Sequence, residues 1–198
     1  MHKTLWLFGL LLATGCAQVV KQAHVRDDWE TAHQDQVKRL FVLVQPLPDG
    51  QQAVGDMWAA ISARHVDLKR EFIIKELQAL PQDTQDPLAF ACGAGNVEAV
   101  LHLRPEMVRQ GSGAEASLDA TLRRCGDGLE LWRASSAGSW GMKDKKLTQT
   151  IADYTREFGP EVEPYVVASW HLLRATLDTL PQPVLSEDDQ LEKIEHGQ

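Results

Sequence analysis

Hydrophobic residues in this chain change their spacing several times, and each change marks an element. Residues 38–46 (Lys-Arg-Leu-Phe-Val-Leu-Val-Gln-Pro) are an unbroken apolar run with β-branched and aromatic members, bounded by Pro46-Leu-Pro-Asp-Gly50. A run without alternation predicts a central strand buried on both faces. Over 51–66 the period becomes helical, with Val54, Met57, Trp58 and Ile61 at i, i+3, i+4 and i+7. That spacing makes one stripe of a helix and assigns Met57 and Trp58 to packing, not to a ligand box. Glu71–Leu77 predicts a second strand, and Pro87–Ala91 a short helical turn before Cys92.

The middle of the chain has the clearest sheet character. Val97–Val108 is strand-like and is interrupted by Gly111-Ser-Gly113. Ala116, Leu118, Ala120 and Leu122 then alternate with Ser117, Asp119, Thr121 and Arg123, the period of two of a half-exposed strand. Cys125-Gly-Asp-Gly128 turns the chain back into Leu129–Ala134, and Asp-Gly between two such runs signals a hairpin. The remainder is helical. Leu147, Ile151, Tyr154 and Phe158 form a stripe that stops at Gly159-Pro160, and Val162–Leu180 carries a second with Tyr165, Val166, Trp170, Leu173 and Leu177 before Pro181-Gln-Pro183. The expected fold class is α+β: a mixed sheet of about five strands (strand-helix-strand, then three antiparallel strands) covered by helices, with a helical C-terminal region.

The two ends have a different texture. Residues 17–36 are polar with scattered apolar positions, and they read as a tether leading to a domain at 37–184. Residues 185–198 read as an acidic C-terminal tail in which Glu187-Asp188-Asp189 favour a helix N-terminus. A calcium site there lacks the loop spacing of a known calcium motif, so a solvated capping cluster is the expectation. The first residues are unlike both ends. Met1-His2-Lys3 is a positive start, residues 4–13 are apolar, and Thr14-Gly15 are small residues before Cys16. An apolar helix of about ten residues spans roughly 15 Å, half the thickness of a bilayer's hydrocarbon core, which suits the core of a signal peptide and not a transmembrane span.

Residues 13–16 (Ala-Thr-Gly-Cys) resemble the lipobox of bacterial lipoproteins, with Ala13 where that pattern usually has Leu or Val. Cleavage of an ordinary secretory signal nearby is the alternative reading. The resemblance implies that residues 1–15 are removed, that Cys16 becomes the new N-terminus, and that it carries a diacylglyceryl thioether and an N-acyl chain such as palmitate. Two or more acyl chains anchor a protein stably. With Ala17 rather than Asp after the cysteine, the pattern points to the outer membrane, with the domain facing the periplasm.

Charge and composition narrow the partners. Of 20 basic and 28 acidic residues, removal of 1–15 takes Lys3 alone, leaving 19 against 28, a formal charge of −9. Such a surface repels phosphate backbones, so nucleic acid is not an expected partner. With 43% apolar residues over the full sequence, a mature chain of about 180 residues can bury one good core. Cys92 and Cys125 remain after Cys16 is acylated. They are either two idle thiols or a disulfide, and the bridge is expected because Cys92 precedes one strand and Cys125 ends a neighbouring one in an oxidising compartment. Neither a Cys-x-x-Cys nor a His at ligand spacing accompanies them, so no metal or cofactor is expected.

Catalytic patterns are weak throughout. Gly93-Ala-Gly95-Asn96 lacks the third glycine of a dinucleotide fingerprint, since Glu98 stands there, and reads as a turn. Ser112 lies in Gln-Gly-Ser-Gly-Ala, not in a Gly-x-Ser-x-Gly elbow, and His65 and His171 each sit alone near a helix.

Arg39-Leu-Phe-Val-Leu-Val-Gln-Pro46, the hairpin Cys125–Ala134 and the ending Leu180-Pro-Gln-Pro-Val-Leu-Ser-Glu-Asp-Asp189 resemble the periplasmic αβ domain of several bacterial lipoproteins. Among these are the curli-secretion lipoprotein and the lipoprotein activator of penicillin-binding proteins. The last two segments are most similar to a group of outer-membrane lipoproteins of this length, which have no assigned catalytic residues. The anchor, the tether, one αβ domain and the lack of a reactive constellation point to a lipid-anchored, non-enzymatic protein-binding or assembly module with an envelope protein as partner. The alternatives are an envelope hydrolase or a binder of small apolar ligands or lipids. The chain lacks the long amphipathic insertions with which the curli protein builds a pore.

Overall fold

The computed structural model describes residues 19–47, 52–81 and 83–196. Cys16 and the signal segment lie outside the described residues. Among the described residues six strands form one sheet: β1 (Val20–Val25), β2 (Arg39–Val44), β3 (Ile73–Ala79), β4 (Ala99–Gln110), β5 (Gly113–Arg124) and β6 (Glu130–Gly141). Their order across the sheet is β1-β6-β5-β4-β2-β3. β2 runs parallel to both β3 and β4, while β4, β5, β6 and β1 are successively antiparallel. The sheet is therefore mixed, as its hairpins and its strand-helix-strand opening demand.

Among the described residues five α-helices accompany it: α1 (Gln52–Lys69), α2 (Pro87–Cys92), α3 (Thr148–Phe158), α4 (Glu163–Leu177) and α5 (Glu187–His196). α1 lies over β2 and β3, and α4 over β5 and β6, all on one face of the sheet. The predicted α1 stripe is the buried one: Val54, Met57, Trp58 and Ile61 are each 1% exposed or less. Trp58 Nε1 donates to Met107 Sδ on β4 at 3.2 Å, which gives the only polar atom of this indole a partner inside the core. On β5 the inward side chains are Ala114, Ala116, Leu118, Ala120 and Leu122. Three alanines there leave room for the α4 backbone to approach the sheet closely.

β2 is covered on both sides, as its unbroken apolar run requires. Leu40, Val42 and Val44 enter the main core, and Phe41 and Leu43 enter a smaller one with Leu80, Ala91 and Val100 beneath α2. α2 starts where Asp86 accepts from the backbone N–H groups of Leu88 and Ala89 at 3.1 and 3.0 Å, with Pro87 in its first turn. β4 and β5 are joined by the two residues Gly111-Ser112, and Gly111 takes the positive φ of 53° that such a tight hairpin needs.

Two segments differ from the sequence reading. Within the expected tether 16–36, residues 20–25 form β1, a sixth strand paired with β6, and Trp29–His33 form a π-helical turn. Trp29 is buried, and its Nε1 donates to the carbonyl of Gln182 at 3.1 Å. β1 carries no alternating pattern because it is held by main-chain bonding to β6, with four of its six residues exposed. The expected acidic tail also folds onto the body. Ser186 caps α5, its N–H and hydroxyl both donating to Asp189 Oδ2 at 2.9 and 2.6 Å. Asp189 then continues inward to Lys38 and Arg39.

Candidate functional site

The residues singled out in the sequence are distributed and do not converge on one centre. Cys92 at the end of α2 is bonded to Cys125 just after β5, with a Cα separation of 5.5 Å. The bridge closes the smaller core over Phe41, Leu43 and Val100. On the helical side, His65 Nε2 lies 3.0 Å from Asp178 Oδ1. Burial outweighs Asp178 there and holds the ring's pKa below its usual value. His171 Nε2 lies 3.0 Å from Asp144 Oδ2, and its ring stacks on Trp140 at 6.1 Å between centroids. Asp144 in turn accepts from Lys146 N–H at 2.8 Å and is held below the ordinary carboxylate range by that bond first and by His171 second. Ser112 occupies the β4–β5 turn, where its carbonyl accepts from Met142 N–H at 2.9 Å. Among the described residues no hydrogen bond links Ser112 to either histidine.

A different arrangement emerges on the other face of the sheet. α2 covers β2 and β4 there, and β5, β6 and β1 present their outward side chains to solvent. Strand register places these side chains in rows. Arg104, Asp119, Ser135 and Gln22 form one cross-strand row, and His102, Thr121, Arg133 and His24 form the next. Arg104 and Asp119 pair at 4.0 Å, an exposed contact that contributes little stability. Two shallow grooves of about 810 and 590 Å³ cross this face. A smaller cleft of about 210 Å³ lies between it and α2, lined by Asp86, Leu88, Val100, His102, Arg104 and Arg123.

The cleft is cationic at its wall. His102 is half-buried and contacts Gln45 Oε1 at 3.3 Å. Burial first, and the Arg104 and Arg123 guanidinia second, push its imidazole down to about 4 from 6.5. The folded ring therefore stays neutral between pH 6.5 and 4 while the unfolded ring takes a proton. Stability consequently falls as pH drops through that window, by about 3 kcal/mol for this residue. His102→Gln is expected to remove that share of the acid dependence in urea midpoints measured at pH 7 and pH 4.5. An unchanged pH slope would show that the ring is protonated in the folded protein. His65 contributes to the same window in the same sense, so the variant flattens the profile without abolishing the slope.

The alternation read in β5 gave the outward set Ser117, Asp119, Thr121 and Arg123 correctly. Their surroundings were not legible, because His102, Arg104 and Arg133 come from strands whose register relative to β5 no local pattern encodes.

No family model matches this sequence, and no curated protein matches it. Solved structures do. One is the PelC dodecamer from Paraburkholderia phytofirmans, 12% identical, with TM-score 0.52 over 76% of this chain and 91% of that chain. A second PelC dodecamer, carrying L103M, gives 0.50 at 12% identity over 75% and 91%. The lipoprotein GNA1162 from Neisseria meningitidis aligns at 15% identity and TM-score 0.38 over 61% of this chain and 96% of that one. This chain shares the fold of PelC.

Proposed function

We propose that this protein is a non-enzymatic assembly module of the bacterial envelope, held at the outer membrane through acylated Cys16 and associating with copies of itself or with another envelope protein. The observation that carries the reading is the shared fold with PelC, whose structure is a dodecamer. The fold likeness gives the self-association arm its direction, and the lipobox-like Ala13–Cys16 gives the address. The kinship with the curli-secretion and penicillin-binding-protein activator lipoproteins belongs to the same proposal.

Two surfaces support association. α5 exposes Leu191 and Ile194, which are 61% and 62% exposed and stand one helical turn apart. The open sheet face presents charges of both signs, the composition that fixes partner and register more than raw affinity. The test is native mass spectrometry of full-length protein extracted from envelopes in mild detergent. A discrete multimer is expected, and Leu191→Glu with Ile194→Glu is expected to lower its population at least tenfold. A monomer at every concentration, with no partner captured by crosslinking in whole cells, overturns the reading.

A further inference from the structure

We infer that one end of the sheet, bearing the β4–β5 turn and the lysines that follow β6, lies against the anionic phospholipid headgroups of the membrane that holds the anchor. The inference rests on acylation of Cys16. Its first support is reach. Val19 is already bonded into the sheet, its carbonyl accepting from Ala137 N–H at 3.0 Å. Three residue steps from Cys16 to Val19 span at most about 11 Å even when fully extended. The tether expected at 16–36 would have let the domain wander, whereas β1 removes most of that length.

Direction is the second support. β1 pairs antiparallel with β6, Val20 opposite Ser136 and Val25 opposite Trp132. Followed backwards from Val20, the chain leaves alongside Ala137 and toward Gly141. Gly141 pairs with Gly113, and Gly113 with Gln110. The chain thus leaves the sheet opposite Ala137 and heads toward the end where the Gly111-Ser112 turn stands and where β6 runs on into residues 142–147. β1 and the π-helical turn after it lead away from this end.

Charge is the third. Arg109, Lys143, Lys145 and Lys146 are exposed at this end, and Val108, near the end of β4, is 60% exposed. The acids beside them are engaged: Asp144 accepts from Lys146 N–H and His171, and Glu115 accepts from Gln110 Nε2 at 2.7 Å. A mature chain with 19 basic and 28 acidic residues has nonetheless placed four cations and an exposed valine at the end toward which its N-terminal segment leads. Cations held within a Debye length of an anionic leaflet are attracted to it, and an adjacent anchor turns that weak attraction into an intramolecular one.

The experiment uses lipidated full-length protein reconstituted into vesicles of phosphatidylcholine alone or with about one-third phosphatidylglycerol, a fraction giving a strongly anionic surface. A polarity-sensitive fluorophore is attached at Val108→Cys or, as the distal control, at exposed Glu30→Cys in the π-helical turn. At position 108 emission is expected to rise at least twofold in the anionic vesicles, with no rise at position 30. In Lys143→Glu/Lys145→Glu/Lys146→Glu, with its thermal midpoint preserved, the signal at 108 is expected to fall to the level at 30. Equal signals at the two positions, or a signal at 108 that ignores the lysines, overturn the inference while leaving the anchor intact. A native N-terminal mass without acyl chains overturns the anchoring and this inference together.

Discussion

Arg39→Ala is expected to destabilise the protein by about 3 kcal/mol, the lower end of what removing one partner from a buried ion pair costs. Arg39 opens β2, and its side chain is 19% exposed. Its Nη1 donates to Glu98 Oε1 at 3.0 Å, its Nη2 to Asp189 Oδ1 at 2.9 Å, and its Nε and Nη2 together grip the Glu192 carboxylate. Lys38 reaches Asp189 Oδ2 at 2.6 Å and Lys75 reaches Glu192 Oε1 at 2.9 Å. Three cations thus face three carboxylates, and removing the forked one leaves the acids to repel one another beside a covered strand. For a domain of this size the thermal midpoint should fall by about 6 to 12 °C. Arg39→Lys keeps the charge but has no planar fork for three carboxylates, so about half of the loss should remain.

The same cluster fixes α5, and this gives the variant a local signature. Amide exchange in residues 187–196 should accelerate well before global unfolding. Arg39, ahead of Lys75, holds Glu192 below its ordinary 4.5, and Lys38 and Ser186 hold Asp189 well below its ordinary 3.8. The stabilisation these carboxylates give is therefore complete above those ordinary values and is lost as pH falls through their lower folded ones. That window opens at the lower edge of the one in which His102 acts, so an acid titration should show a further loss continuing below pH 4. A stability change below about 1 kcal/mol for Arg39→Ala would mean that the cluster behaves as an ordinary surface salt bridge.

Reduction of the Cys92–Cys125 bridge is expected to cost about 3 to 4 kcal/mol, the chain entropy released when a loop of 33 residues opens. The enclosed segment carries the whole of β4, the turn and β5, so its freedom in the unfolded state is large. In the folded state the two sulfurs also seal the smaller core, whose partners Leu88 and Val97 are only partly buried. Cys92→Ser/Cys125→Ser should lower the urea midpoint to match wild type in dithiothreitol, and a thiol count on unreduced protein should give none from these two residues. Two titratable thiols, or a midpoint indifferent to reductant, would refute the bridge. The loss should be largest around α2, which has six residues and depends on this small core to stay seated.

Particular elements show how far the sequence could be read. β2, α1, β5 and the two C-terminal helices were legible because each buries a stripe or face of its own, and burial writes a period into the sequence. Trp170 shows the limit of such stripes. It falls on the apolar spacing of α4 yet stays half-buried at the rim, with the Arg174 guanidinium 5.5 Å from its ring centre. β1 was illegible because an edge strand held by main-chain bonds needs no apolar alternation. The helix start at Glu187-Asp188-Asp189 was legible, but the docking of α5 was not, because its inward groups are Asp189 and Glu192, whose burial depends on cations far away in sequence.

The sequence by itself determined most of the secondary elements, though not β1, together with the α+β class, the hairpin at Gly128 and the charge balance, since propensity, hydrophobic period and turn chemistry are local. Tertiary structure alone decided that six strands share one sheet, that the chain enters it within three residues of Cys16, and that His102, Arg104 and Arg123 meet at one cleft. Those outcomes depend on strand order and register, which arise from contacts between residues that sit far apart along the chain.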